Sequence, residues 1–397
     1  MSKRILVVSP VPSHPSNQGN AARILTLATQ LSLRGFTLDF FYYGMEGLMP
    51  QFRREMEGFW NEFHFLPSAQ LPEPSFARCW GVDDWCPDAL CTAVTELHAQ
   101  KHYDAVLVNY VWMSKVLLGL KDTLKIIDTH DLFGDRHMVS IREGMEPRWF
   151  FTSLAEEERG FRRADLLLGI QDEETANIGA RVDVPVITIG HLMEPRFLTA
   201  PQTEPPRFLF GYLGSGNPWN VRSIQILDKE LASGQGVDWL LAGGILKQPL
   251  ALRSSPYLLG FVKELKDFYS NIHCVINPMS GGTGLKIKTV EALSFGKPVI
   301  GTMDAFVGLP TRHEAHQLKS IADCAAMMRA YATSPSLREE IDFASRTLYF
   351  SYALEIGKGT DLLQKIIENG AVPTSMMPAK NPPHYATGPR TKKSMNR

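Results

Sequence analysis

The feature that most constrains this chain is a repeated alternation of short, continuous apolar runs with helical stretches, begun twice along its length. "RILVVSP", starting at Arg4, has no polar face, as expected of a parallel strand covered on both sides. A glycine-bearing loop follows, then "NAARILTLATQLSLRG", whose apolar spacing predicts a helix closed by Gly35, then a strand at "TLDFFYY". Further strands are predicted at "YDAVLVNY", "LKIIDTH" and "PVITIG", with residues 141–180 read as helical from their Glu and Arg content and periodic apolar positions. Strands separated by helices are joined by crossovers, which gives a doubly wound parallel sheet.

The alternation stops at "EPRFLTAPQTEPPRF", where Pro195, Pro201, Pro205 and Pro206 favour an extended connector. It then restarts. "RFLFGYLG", "VDWLLAGG" and "HCVINP" read as strands, with helices at "NVRSIQILDKELAS" and "ELKDFYSN" between them. The predicted architecture is therefore α/β, with one Rossmann-like domain over 1–195 and a second over 206–345. Residues 313–370 read as mainly helical, and the proline-rich, basic end of the chain over 371–397 as a disordered tail.

At 397 residues the chain is long enough for two such domains, each with its own core. A net charge of −1 at pH 7 offers no general attraction to nucleic acid, so any anion must be held by a local site. The five cysteines contain no C-x-x-C pair and no histidine cluster has zinc-ligand spacing, which points to reduced thiols and no metal site. The first apolar run is broken by Pro10 and Pro12, too early for a signal-peptide core, and no run reaches the roughly 20 apolar residues of a membrane span. A cytoplasmic protein is expected.

The chemistry is concentrated in "NPMSGGTGLKIKTVEALSFGKPVIG", Asn277 to Gly301. A strand ends before Met279, a glycine loop follows, and helix composition runs from Gly284 to Phe295. Strand, glycine loop and helix start together make an anion site, because first-turn N–H groups have no partner within a helix. Lys286 and Lys288 fall in the predicted first turns, where cations oppose the helix dipole unless an anion lies nearby. Glu291, further along, could accept hydrogen bonds from ribose hydroxyls. An ordinary turn with two solvated lysines is the alternative reading, and the spacing is not that of a Walker A loop.

"GGTGLKIKTVEALSFGKPVIGT" resembles the donor-site motif of GT-B glycosyltransferases, in particular glycosyltransferase family 4. The resemblance extends to "SNQGNAARILTLATQLSLRG", "FGYLGSGNPWNVRSI" and the closing "FSYALEIGKGTDLLQKIIE", and covers most of residues 4–368. It implies two facing Rossmann-like domains, with a helix over 346–370 crossing back onto the first. It also implies transfer of a sugar from a nucleoside-diphosphate sugar to a saccharide, lipid-linked or protein acceptor, with retention and without a metal or other cofactor. Carried over, the donor-binding residues are Gly19, Ser215, Asn220, Gly281, Gly282, Thr283, Gly284, Leu285, Lys288 and Glu291, and Lys286 assists departure of the diphosphate.

Two departures stand out. Thr283 occupies a position that is acidic in many family members, and Ser215 and Asn220 replace a usual Arg and Lys. A non-catalytic, sugar-nucleotide-binding scaffold is the reading these departures favour. "IIDTHDLFGDR" places His130, Asp131, Asp135 and Arg136 at a strand's carboxyl end, where open α/β sheets bind ligands. The resemblance points to His130 at the reaction centre, with Asp131 or Asp135 orienting it or the acceptor and Arg136 on the acceptor side; helix capping by the aspartates is the alternative. Arg23 of the first helix either faces the same cleft on the acceptor side or is a solvated arginine. "GYLGSG" suggests a dinucleotide site only weakly, since the next strand ends in glycines rather than an acidic residue. "MPQFRREMEGFWNEFHF" and "REGMEPRWFFTSL" mix basic and aromatic residues, which suits either peripheral membrane contact or amphipathic helices packed on the core.

Overall fold

The computed structural model describes residues 2–16, 18–142, 144, 146–147, 149–197, 205–234, 236–281 and 284–377. Strands β1 (Arg4–Ser9), β2 (Thr37–Gly44), β3 (Glu62–Pro67), β4 (Ala105–Asn109), β5 (Leu124–Asp128), β6 (Leu166–Gly169) and β7 (Val186–Thr188) form one sheet. Its order is β3-β2-β1-β4-β5-β6-β7 and every pairing is parallel. A second parallel sheet contains β8 (Phe208–Leu213), β9 (Trp239–Ala242), β10 (Tyr257–Gly260), β11 (Ile272–Asn277) and β12 (Val299–Gly301), in the order β10-β9-β8-β11-β12.

In both sheets the strand order reverses at the first strand of the domain, β1 or β8. Ligands of open α/β sheets bind outside the carboxyl ends of the strands at such a reversal. The loops after β1, β5, β8 and β11, which carry the sequence motifs, all leave carboxyl ends near these points. β1, β4 and β5 are buried almost throughout, consistent with their mainly apolar composition.

Two sequence expectations need correction. Residues 141–180 are not one helical region: β6, a four-residue buried strand "LLLG", lies between the Leu154–Phe161 and Asp172–Gly179 helices. Its brevity hid it among charged helical neighbours. The "MPQFRREMEGFWNEFHF" stretch divides into a helix, Pro50–Phe59, and β3, which forms the edge of the sheet.

The Pro335–Asn369 helix ties the domains together. Ser334 accepts a hydrogen bond from Leu337 N at its start, Pro335 sits in the first turn, and Gly370, at φ 67°, ends it. Along its 35 residues, Ile341 packs in the second domain, Leu348 and Tyr352 near the junction, and Leu363 and Ile367 in the core of the first. Tyr352 Oη accepts from His191 N at 3.0 Å and Tyr349 Oη donates to Met193 O at 2.7 Å, which fastens the connector to the same helix. The tail beyond residue 377 lies outside the described residues.

Candidate functional site

The second domain's site is built by the loops after β8 and β11. Asn217 caps the Pro218–Ala232 helix, accepting from Trp219 N at 2.8 Å. Trp219 then packs on Gly281, whose φ of +83° and lack of Cβ are both required, because a Cβ there would collide with the indole. Gly281 N donates to Asp304 Oδ2 at 2.6 Å, and Ser280 N to Ser223 Oγ at 3.2 Å. The glycine loop is thus anchored on three sides. Gly282 and Thr283 lie outside the described residues.

The helix after this loop is Ile287–Ser294, three residues shorter at its start than the sequence suggested, with Lys286 at the N-cap and Lys288 in the first turn. Gly284, at φ +72°, interrupts helical geometry before it. Lys286 is buried and donates to Gly284 O at 2.7 Å. Burial lowers its pKa despite Asp131, Asp304 and Glu174 nearby.

Lys288 donates to Tyr212 Oη at 2.8 Å and Asn220 Oδ1 at 2.7 Å, with its ammonium 4.7 Å from the Tyr212 ring centroid. Asn220 in turn donates to Ser215 O and Oγ. Ser215, Asn220 and Lys288 therefore form one linked group, and among the described residues every hydrogen-bond partner of the lysine is uncharged. Burial, reinforced by Lys286, lowers the Lys288 pKa to about 7. Glu291 accepts from Tyr269 Oη at 2.7 Å, and burial raises its pKa.

The first domain meets this loop directly. A Cβ on Gly19 would lie 2.8 Å from Ile287 Cδ1, so the loop after β1 abuts the helix start. A Cβ on Gly284 would lie 3.6 Å from Asp131 Cγ and 3.8 Å from Glu174 Oε1. Asp131 pairs with Arg136 at 3.3 Å, and Arg136 also lies 5.0 Å from the Phe133 ring centroid. Leu285 packs in the same apolar cluster as Ile170 of the first domain, a packing position at the junction rather than an open ligand surface.

His130 stands at φ 60°, an uncommon conformation for a non-glycine residue. Its Nε2 is 2.8 Å from Asn109 Oδ1 and 3.5 Å from Asp128 Oδ2, and its ring stacks on Tyr110 at 4.1 Å. Burial lowers its pKa to about 4, so the imidazole is neutral at physiological pH. Asp135, also at positive φ, directs its amide to Thr152 O at 2.8 Å.

Arg23 requires a clear correction. It is 2% exposed, bonds the fully buried Asp128 through Nε and Nη2 at 2.6–3.0 Å, and donates through Nη1 to Ile189 O and Gly190 O. With all three nitrogens engaged inside the domain, it holds the carboxyl ends of β5 and β7 rather than an acceptor. Asp128, Glu174, Asp304 and Tyr212 were missed from sequence. The acidic triplet following "GIQ" is a signal for Glu174, obscured by the reading of 141–180 as one helical region.

Comparison with known proteins agrees with this layout. Residues 208–332 match the family described as Glycosyl transferases group 1. The structure of Alr3699/HepE from Anabaena, solved in complex with UDP, superposes with a TM-score of 0.65 at 14% identity, covering 91% of this chain and 100% of that one. The fold is GT-B. A sucrose-phosphate synthase from Thermosynechococcus elongatus gives 0.62 at 15% identity, covering 92% and 100% of the two chains. A Rickettsia africae glycosyltransferase gives 0.62 at 13%, covering 93% and 99%. No curated protein matches in sequence. Among the described residues of this GT-B chain, no helix is long and apolar enough to cross a membrane.

Proposed function

We propose that this protein transfers a sugar from a nucleoside-diphosphate sugar to an acceptor hydroxyl, with retention of configuration and without a metal. The observation that carries the reading is Lys288: a desolvated lysine at a helix start, bonded only to neutral oxygens, next to a second buried lysine and a glycine loop. Two cations held this way are stabilised by a dianionic group, and the first-turn N–H groups add to the attraction.

In this reading the diphosphate lies against Lys286, Lys288 and the Ile287 helix start. Glu291 holds the ribose, and the sugar lies over the Gly281–Gly284 loop. As the bond from the anomeric carbon to the diphosphate oxygen breaks, negative charge grows on the leaving group, and donors already in place there lower the barrier. His130, Asp131, Asp135 and Arg136 face the acceptor side from the loop after β5. HepE, solved with UDP, makes uracil the first base to test. Retention rests on the family 4 resemblance. Ser215 and Asn220, in place of a basic pair, support the second reading of a scaffold that binds a nucleotide sugar without turning it over.

Thermal unfolding across UDP, UDP-sugars, GDP-mannose and ADP-glucose tests the proposal, since a ligand that binds only the folded state raises Tm. A rise of several degrees with one nucleotide class, together with transfer or slow hydrolysis of its sugar, is expected. Binding without any turnover would select the scaffold, and no rise with any nucleotide would remove both readings.

A further inference from the structure

Glu174 is the third residue of the Asp172–Gly179 helix, at the carboxyl end of β6, and it points across the domain junction. It is 5% exposed. Its Oε1 accepts from Gln171 Nε2 at 3.2 Å, while Oε2 is buried with no hydrogen-bond partner among the described residues. Gln171 Oε1, from the turn just before, is buried and without a partner among the described residues as well. Buried polar atoms are nearly always satisfied, so two such oxygens at one place call for a missing partner.

Helix capping does not supply it. A glutamate at the third helical position commonly reaches back to the backbone amide of the residue before the helix. Here the partner is the Gln171 side chain, and Gln171 makes no side-chain cap bond of its own.

The Glu174 carboxyl lies beside the glycine loop, with the Gln171-bonded Oε1 as its nearest atom to Gly284. Glu174 Oε1 is 3.8 Å from where a Gly284 Cβ would stand, and Asp131 borders the same space at 3.6 Å. Burial and the neighbouring Asp131 raise the Glu174 pKa to about 8, so at neutral pH the group is mostly an uncharged carboxyl that can both donate and accept. Such a group matches a hydroxyl, and it does not repel a diphosphate held on the lysines.

We infer that Glu174 is a specificity residue of the donor site, contributed by the first domain, whose carboxyl hydrogen-bonds a hydroxyl of the transferred sugar. This rests on the donor reading above. The motif itself carries Thr283 rather than a carboxylate, and Glu174 brings a carboxyl beside Gly284 from the first domain. A simpler role would be a latch, in which Glu174 and Asp131 only hold Lys286 and keep the domains together. The two roles separate experimentally: a latch affects every nucleotide alike, whereas a sugar contact affects the choice among sugars.

The test is calorimetric titration of the full chain with UDP, UDP-glucose, UDP-galactose, UDP-N-acetylglucosamine and UDP-N-acetylgalactosamine. The wild type is expected to prefer one sugar by at least about tenfold, the scale of one well-placed hydrogen bond lost or gained. Glu174→Ala is expected to reduce that preference to within about threefold while the Kd for UDP changes by less than about threefold. Glu174→Gln, which keeps a donor and an acceptor at the same reach, is expected to retain most of the preference. Should Glu174→Ala unfold, Glu174→Asp, which withdraws the carboxyl by one methylene, is expected to lose the preference that Glu174→Gln keeps. An intact preference in Glu174→Ala, a parallel loss for UDP and its sugars, or a wild type that binds UDP but does not choose among the sugars overturns the inference. Failure of the wild type to bind UDP, any of these sugars, GDP-mannose or ADP-glucose overturns the donor reading instead.

Discussion

The two faces of the cleft are built from the same parts, a parallel sheet with loops at its carboxyl ends, yet they satisfy their charges in opposite ways. On the first domain's side, Arg23 and Asp128 neutralise each other in the interior, and Asn109 fixes a neutral His130. On the second domain's side, Lys288 is desolvated against a phenol and an amide, and Lys286 is buried two residues away. A network that is already neutral supports geometry. One that holds Lys288 on neutral oxygens is poised for an anion.

The largest effect should come from breaking the neutral network. Arg23→Ala leaves Asp128, which is fully buried, without its cation and leaves two backbone carbonyls without a donor. Removal of one partner of a buried pair costs about 3–5 kcal/mol. Chemical denaturation should show a loss of that order, and a loss below about 1 kcal/mol would mean that the pair is not the brace described here.

Lys288→Met should do the reverse. It replaces a desolvated cation by an apolar chain of similar length, so stability is expected to hold or rise, because the charged form is disfavoured by burial. Affinity for a UDP-sugar should fall by about 10–100-fold, which is about 1.4–2.7 kcal/mol. Calorimetry and thermal unfolding on one preparation read both. A stability loss with unchanged nucleotide affinity would make Lys288 structural and remove the contrast between the two faces.

The contrast also explains what could be read from sequence. The strand, glycine loop and lysines after β11 lie within a dozen residues and announce themselves locally, as does the alternation that yields both sheets. Lys286 was placed inside the helix because composition carries no sign of the break that Gly284 introduces at φ +72°. Arg23 could not be separated from a cleft residue because its partner is 105 positions away. Glu174 was hidden for a related reason: its helix follows a strand of only four residues, and its importance lies in what it faces across the junction.

The smallest effect, and the sharpest, is the pH dependence of donor binding. Lys288 titrates at about 7 in the free protein, and a bound diphosphate favours its charged form and raises that value. Below pH 7 the lysine is already protonated and affinity should be level. Above pH 7, binding must take up a proton, so affinity should fall by up to about tenfold per unit, until the raised pKa of the complex is reached. A UDP-sugar is the better ligand for this measurement, because free UDP carries a terminal phosphate that ionises near pH 6 and adds a slope of its own. Asp131, Glu174 and Glu291 also face or flank the site, and Glu174 loses its proton near pH 8, which steepens the decline there. Lys288→Met should therefore flatten the profile between pH 7 and 8, whereas Glu174→Gln should leave that segment intact and flatten only the part above it. A wild-type affinity that stays constant from pH 6 to 9 would mean that the diphosphate never reaches Lys288, and the second face of the cleft would then be as self-contained as the first.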